Sequence, residues 1–243
     1  MPALLSLDGV CKTHRRGRHA NVVLDRVSFH VGVGEFAAIF GRRGAGKTTL
    51  LRIAAGLDAP DAGRVTLDGR DLLATGRRRR LDGLPDGIGW LVRSGPLTRS
   101  MPMLDFVAMP LLERVPHREA RRRAGAALER ATAGALVDAR WPELSDAERV
   151  LVALARATVR RPALLLADDP TAGLGTRERE IVLGLLREAT DENEMSALIT
   201  VPALPDVLRA HRVMSLSGGE LMEPTRQRTG DHLVVAADRR ESV

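Results

Sequence analysis

The sequence predicts an α/β fold built on a parallel, wound sheet. Three observations carry that prediction. Short apolar runs with the profile of buried strands recur at 35–40, 163–167 and 196–201, as strands covered on both faces require. Helical patterns follow them, near 48–57, 176–190 and 204–211. A glycine-rich loop separates the first of these strands from its helix.

The elements read in order as follows. Residues 4–10 and 22–31 are strands; Val22, Val23, Leu24, Val27, Phe29 and Val31 supply apolar positions that polar residues interrupt. A turn at Gly32–Gly34 leads into the buried run 35–40, the loop and the helix 48–57. Residues 63–69 form a short strand ending in a turn at Asp68-Gly69. Residues 77–86 are irregular, and the arginine run Arg77–Arg80 reads as solvated, with lipid headgroups or a partner as the other reading. From 102 to 140 the pattern is helical, punctuated by Pro102, Pro110 and Pro116, with Pro142 just beyond. Within it Arg121–Arg123 reads as an exposed helix face in preference to a binding patch. A helix near 146–159 precedes Pro162 and the second buried strand, and a final strand pair falls around 213–223. From Thr225 onward a polar start reads as a frayed or weakly docked tail.

Composition narrows the class. Among 243 residues 44% are hydrophobic and only 2% aromatic, with no tyrosine, so the core must be aliphatic. The charge is +6, and all the cations but Lys12 and Lys47 are arginine. Acidic residues are interspersed and no aromatic stacking platform accompanies the arginines, so nucleic acid is not expected as a partner. Cys11 is the only cysteine; no intramolecular disulfide is possible, and a reducing, intracellular location fits. No charged region followed by an apolar run opens the chain, and no stretch nears the ~20 apolar residues of a spanning helix. Work at a membrane would therefore need another chain.

Gly41-Arg42-Arg43-Gly44-Ala45-Gly46-Lys47-Thr48 satisfies G-x-x-x-x-G-K-[ST] in full, between a strand and a helix. Glycines let backbone N–H groups converge on phosphate oxygens, and the helix adds its positive N-terminal end. Lys47 reaches the β- and γ-phosphates, the Thr48 hydroxyl can ligate Mg²⁺, and Thr49 follows in the same turn. Arginine's planar fork does not replace a compact ammonium in such a nest, so a lysine here in a chain of arginines carries weight. Arg42 and Arg43 either add positive potential or point to solvent; the second reading is preferred. The fold implied is a P-loop NTPase (RecA-like) core binding ATP with Mg²⁺.

Leu164-Leu-Leu-Ala-Asp168-Asp169-Pro170-Thr171 is an apolar strand ending in two carboxylates, the Walker B arrangement. Asp168 would hold Mg²⁺ and Asp169 would orient or activate the attacking water. The bland alternative is a turn before Pro170.

These residues, with Val27-Ser28-Phe29, Leu67-Asp68-Gly69 and the order of loop, helical stretch and Walker B strand, resemble the ATP-binding subunits of ABC transporters over essentially the whole chain. The lipoprotein-release and macrolide-export type is the nearer likeness. The resemblance implies an N-terminal antiparallel β subdomain and a core at 1–93 and 151–243. It also implies an inserted helical subdomain at 94–150. It further implies a dimer of nucleotide-binding subunits, homo- or heteromeric, with ATP sandwiched between one loop and the partner's signature. A membrane permease would be the other partner, placing the chain peripherally on the cytoplasmic face of the membrane and its docking groove at Arg93–Leu112.

Departures from the family pattern cluster on catalysis. His14 stands where an aromatic ring usually underlies adenine. Arg93 aligns with the Q-loop glutamine. The signature aligns with Leu144-Ser145-Asp146-Ala147-Glu148: Ser145 is kept, able to cap the next helix and touch the partner's γ-phosphate. Asp146 puts a carboxylate where a glycine backbone approaches that phosphate, and like charges at ~4 Å repel by roughly 1 kcal/mol in water and more when desolvated. Asp169 replaces the catalytic glutamate, Gly175 the D-loop aspartate, and Val201 the switch histidine. An ABC-type ATPase with slow or absent hydrolysis is expected, or a regulatory module that binds ATP without turning it over. Leu216-Ser-Gly-Gly-Glu220 looks more like a signature but follows Walker B, and reads as a β-turn.

Overall fold

The computed structural model describes residues 2–17, 19–72, 87–192, 195–202, 210–223, 227–229 and 232–234. Two sheets organise it. The first is antiparallel: β1 (Ala3–Arg16) pairs with β2 (His19–Gly32) on one side and with β4 (Ala62–Leu67) on the other, and β4 turns back into β5 (Arg70–Asp71). Both long strands exceed the lengths read from sequence, because register shifts along β1 break the alternation that a pattern search follows.

The second sheet has the order β10-β9-β3-β8-β7-β6. Its members are β3 (Phe36–Phe40), β6 (Ile88–Leu91), β7 (Leu164–Asp168), β8 (Ser196–Val201), β9 (Arg212–Ser217) and β10 (Glu220–Met222). All pair in parallel except β10, which returns antiparallel from β9. The strand β6 is unanticipated by the sequence: four residues containing a glycine and a tryptophan carry too little pattern to register.

Successive residues of these strands serve opposite cores. Ala37, Ile39, Leu164, Leu166, Leu198 and Met214 pack with the antiparallel sheet and α1 (Lys47–Ala54). On the other face Phe36, Leu165, Ala167, Ala197 and Ile199 join the core that contains the helices α2 (Met103–Ala108), α3 (His117–Arg130), α4 (Asp146–Thr158) and α5 (Thr176–Glu192). α1 stops three residues earlier than the pattern predicts. Gly56 takes a positive φ of 68° just past its end, a left-handed stop that glycine favours.

Prolines divide the predicted helical stretch 102–140 by starting helices. Pro102 and Pro116 are the N-caps of α2 and α3, in extended conformation. The first free N–H groups of α2 donate instead to Ala139 and Val137 carbonyls, at 3.0 Å each. On α3 the buried positions Ala120, Ala124, Ala127 and Leu128 form one stripe. The reading of Arg121–Arg123 as one exposed face needs correction: Arg121 is half-buried and bonds Asp105 of α2, while Arg122 and Arg123 are exposed and share Glu119.

The run Arg77–Arg80 and most of the helix read near 204–211 lie outside the described residues. In the tail, β11 (Gln227–Thr229) and β12 (His232–Val234) pair as a small antiparallel hairpin where fraying is the sequence expectation.

Candidate nucleotide-binding site

The loop 41–48 leaves the carboxyl end of β3 and feeds α1, whose N-cap is Gly46. Two of its glycines are obligatory. Gly46 has φ 99°, and a Cβ there would lie 2.8 Å from the Val23 carbonyl oxygen of β2. A Cβ on Gly41 would lie 2.4 Å from the Leu216 carbonyl oxygen of β9. The loop is thus clamped between both sheets, and only hydrogen at these positions lets the backbone through.

Lys47 folds back across the loop. Its Nζ donates to the carbonyl oxygens of Gly41, at 2.5 Å, and Arg42, at 3.0 Å. The ammonium is thereby held against the loop's own backbone. The other lysine is held in the same manner: Lys12 Nζ donates to the Ala59 carbonyl at 2.8 Å and to Asp61 at 2.9 Å. Arg42 and Arg43 are exposed, as is Gly44, while Ala45 is half-buried.

Thr48 Oγ donates to Asp168 Oδ2 at 2.7 Å, bringing the loop hydroxyl and the Walker B carboxylate together across 120 residues. The other oxygen, Oδ1, accepts from Thr200 Oγ at 2.6 Å. That hydroxyl in turn lies 3.1 Å from the Asp169 N–H, which also donates to the Thr200 carbonyl at 3.0 Å. Asp169 sits at φ 45° just past β7, a left-handed conformation that aspartate tolerates better than most residues.

Thr200 is the residue of this cluster that the sequence reading missed. It is fully buried, and β7 and β8 are in register with Asp168 opposite Thr200. The available signal was a hydroxyl inside an otherwise apolar strand. Thr200→Val keeps the shape and leaves Asp168 Oδ1 without its donor. The expected result is a stability loss of about 1–3 kcal/mol, read as a fall in Tm of about 5 °C.

The donor set fits a small hard cation. Among the described residues no three His, Cys, Asp or Glu side chains could hold a metal by themselves. One hydroxyl and one carboxylate suit Mg²⁺, which takes its remaining oxygens from phosphate and water.

His14 on β1 approaches the same place, its Nε2 3.3 Å from Thr49 Oγ. Ser145 is placed elsewhere, as the N-cap of α4. It accepts from the Glu148 N–H at 3.3 Å, while the Ser145 N–H and hydroxyl both reach Glu148 Oε2 at 2.8 Å, a complete capping box. Asp146 pairs with Arg149 at 2.9 Å. Arg93 donates to the Ala172 carbonyl, tying the segment after β6 to the turn after β7. Gly175 N–H donates to Glu178 Oε2 at 3.0 Å at the start of α5. Val201 is buried at the end of β8, opposite Phe40. The Ser217–Glu220 segment is the β9–β10 turn, with Gly218 and Gly219 both at positive φ.

Comparison with known proteins agrees with this geometry. The ABC transporter family model matches residues 24–172. The chain is 37% identical over 224 residues to the lipoprotein-releasing system ATP-binding protein LolD of Cereibacter sphaeroides, covering 91% of this chain and all of that one. It is 33% identical to the macrolide export ATP-binding/permease protein MacB of Brucella melitensis, covering 93% of this chain but 35% of that longer protein. Among solved structures, the dimeric structure of a bacterial ABC transporter cassette matches with a TM-score of 0.78 at 28% identity, over 89% of this chain and 96% of that one. The chain therefore belongs to the ABC transporter family, as an ATP-binding subunit of the LolD and MacB kind.

Proposed function

We propose that this subunit binds Mg-ATP at the loop 41–48, dimerises around it and couples that event to a membrane permease, with hydrolysis slow or lost. The observation that carries the reading is the Thr48–Asp168 hydrogen bond, which joins a hydroxyl and a carboxylate beside a lysine held against the loop's own backbone. Gly41–Thr48 would receive the phosphates, Lys47 would face the β- and γ-phosphates, and Thr48 and Asp168 would hold the cation. Mg²⁺ there would neutralise phosphate charge. Thr49 and His14 would stand toward the nucleoside side, His14 stacking under the base.

Slow hydrolysis rests on three positions. Asp169 is the weak catalytic residue, one methylene short for reaching the attacking water. Val201 has no donor to offer a γ-phosphate. Asp146 adds negative charge at the signature, offset in part by its pairing with Arg149. Ser145 would still meet the partner subunit's nucleotide. A non-hydrolysing regulatory ATP-binding module is the second reading, favoured by the retention of Lys47, Thr48 and Asp168 beside these losses. Turnover by the purified protein that collapses on Lys47→Ala would eliminate it.

The division into a core at 1–93 and 151–243 and a helical subdomain at 94–150 belongs to the same proposal. So do a cytoplasmic location on the membrane's inner face and the absence of a nucleic-acid partner. Among the described residues no helix is long and apolar enough to cross a membrane, and the MacB relative's name joins ATP-binding to permease. The permease would dock at 93–112, where Leu97, Met109 and Leu112 are large apolar side chains exposed to solvent. Photocrosslinkers placed at Leu97 and Met109 should capture the permease, and those placed on exposed residues of β2 should not. Capture only from β2 would overturn this placement.

A further inference from the structure

A cavity of about 420 Å³ lies on the helical side of the molecule, formed by the segment after α2, one face of α3 and the segment after α4. It shares no residue with the loop 41–48. Six arginines line it, Arg114, Arg122, Arg123, Arg130, Arg160 and Arg161, and no acidic residue does. The whole chain carries 31 acidic residues against 37 basic ones, yet Glu119, the carboxylate bonded to Arg122 and Arg123, stands outside the lining and the wall itself is cationic.

The chemistry around it is organised for an anion. Glu119 is a single carboxylate shared by two of the arginines: Arg122 bonds it through Nε at 2.7 Å and Nη2 at 2.8 Å, and Arg123 through Nε at 2.7 Å. Arg122 first, and then Arg123, hold the Glu119 carboxyl down at about 2, so it stays charged and keeps both guanidiniums oriented at neutral pH. Arg161 occupies a left-handed conformation, φ 51°, which costs a non-glycine residue energy and is retained here. The floor includes Leu111 and Val159, both buried, and an apolar floor strengthens charge pairing above it.

We propose that this cavity binds a compact polyanion bearing several phosphate groups, at a site separate from the nucleotide loop. Its volume is that of a small-molecule site. Arginines from three chain segments line it, and a planar guanidinium is the side chain best matched to phosphate oxygens. The phosphates could be those of a free solute or of a lipid headgroup, and the test separates the two.

The probe is tripolyphosphate, titrated calorimetrically into the Lys47→Ala protein, whose nucleotide loop competes far more weakly. The result expected is saturable binding that weakens about tenfold or more in Arg130→Gln/Arg161→Gln. Arg64→Gln, an exposed arginine outside the cavity, should leave it unchanged. Unaltered melting temperatures show that the variants remain folded. Phosphatidylcholine vesicles with and without cardiolipin form the second arm. Cardiolipin-dependent sedimentation lost in the double variant assigns the phosphates to a headgroup, and tripolyphosphate binding without sedimentation assigns them to a solute. Absence of saturable binding in both arms overturns the proposal. So does binding indifferent to the double variant, or a preference for poly-glutamate over tripolyphosphate, which would mark the surface as a site for an acidic protein segment. Because the arginine variants leave the loop 41–48 untouched, none of these outcomes depends on the nucleotide reading.

Discussion

Lys47→Ala is expected to weaken Mg-ATP binding about a hundredfold, the loss of one well-aimed charged contact of ~3 kcal/mol to phosphate. The ammonium bridges the Gly41 and Arg42 carbonyls within the loop itself, so its charge stands beside the place where phosphate would sit. The fold itself should tolerate the change, since the loop's path is set by Gly41 and Gly46 against Leu216 and Val23 and not by the lysine. Lys47→Arg should fail to restore binding, because a broad planar guanidinium does not fit a cradle sized for a compact ammonium. Fluorescent-nucleotide titration beside a melting curve checks both points. Affinity within threefold of the parent, with the fold intact, would remove the loop from the mechanism.

The second large effect runs the other way: Asp169→Glu should raise ATP turnover by about tenfold to a hundredfold. The reason is geometric. The Asp169 backbone is pinned by its N–H to the Thr200 carbonyl and hydroxyl and turned to φ 45°. It cannot slide forward to make up a missing methylene. A general base or water-orienting group displaced by ~1 Å forfeits about a hundredfold, and glutamate restores the reach. The left-handed backbone is a little less comfortable for glutamate, which sets a small stability cost against the gain. Phosphate release measured on both proteins in the presence of the permease decides the matter. A parent enzyme turning over at an ordinary rate and slowed by Asp169→Glu would show that aspartate already performs the step.

Much of this was legible in one dimension. The phosphate loop is readable because its chemistry is local: two glycines, a lysine and a threonine act within eight residues, and the flanking β3 and α1 announce themselves by their own patterns. Walker B is readable for the same reason, as a run of buried aliphatics ending in Asp168. Ser145 is equally local, since a capping box closes within three residues on Glu148. The strand β6 was not legible, being too short to show a period.

Other features exist only through the tertiary structure. The hydroxyl of Thr200 has meaning because β7 and β8 pair in one particular register, setting it opposite Asp168, and a shift of one residue would point it away. His14 meets Thr49 only because β1 crosses beside α1's first turn. The arginines at 114, 122–123, 130 and 160–161 look like scattered solvated charges until α3 and the ends of α2 and α4 bring them around one cavity. By itself the sequence determined the strand–loop–helix frame and, from the spacing of its glycines and one lysine, the expectation that this loop cradles phosphate. Only the folded chain decided which side chains hold the carboxylates and where the arginines gather, because those contacts join residues that nothing but sheet register and helix packing brings together.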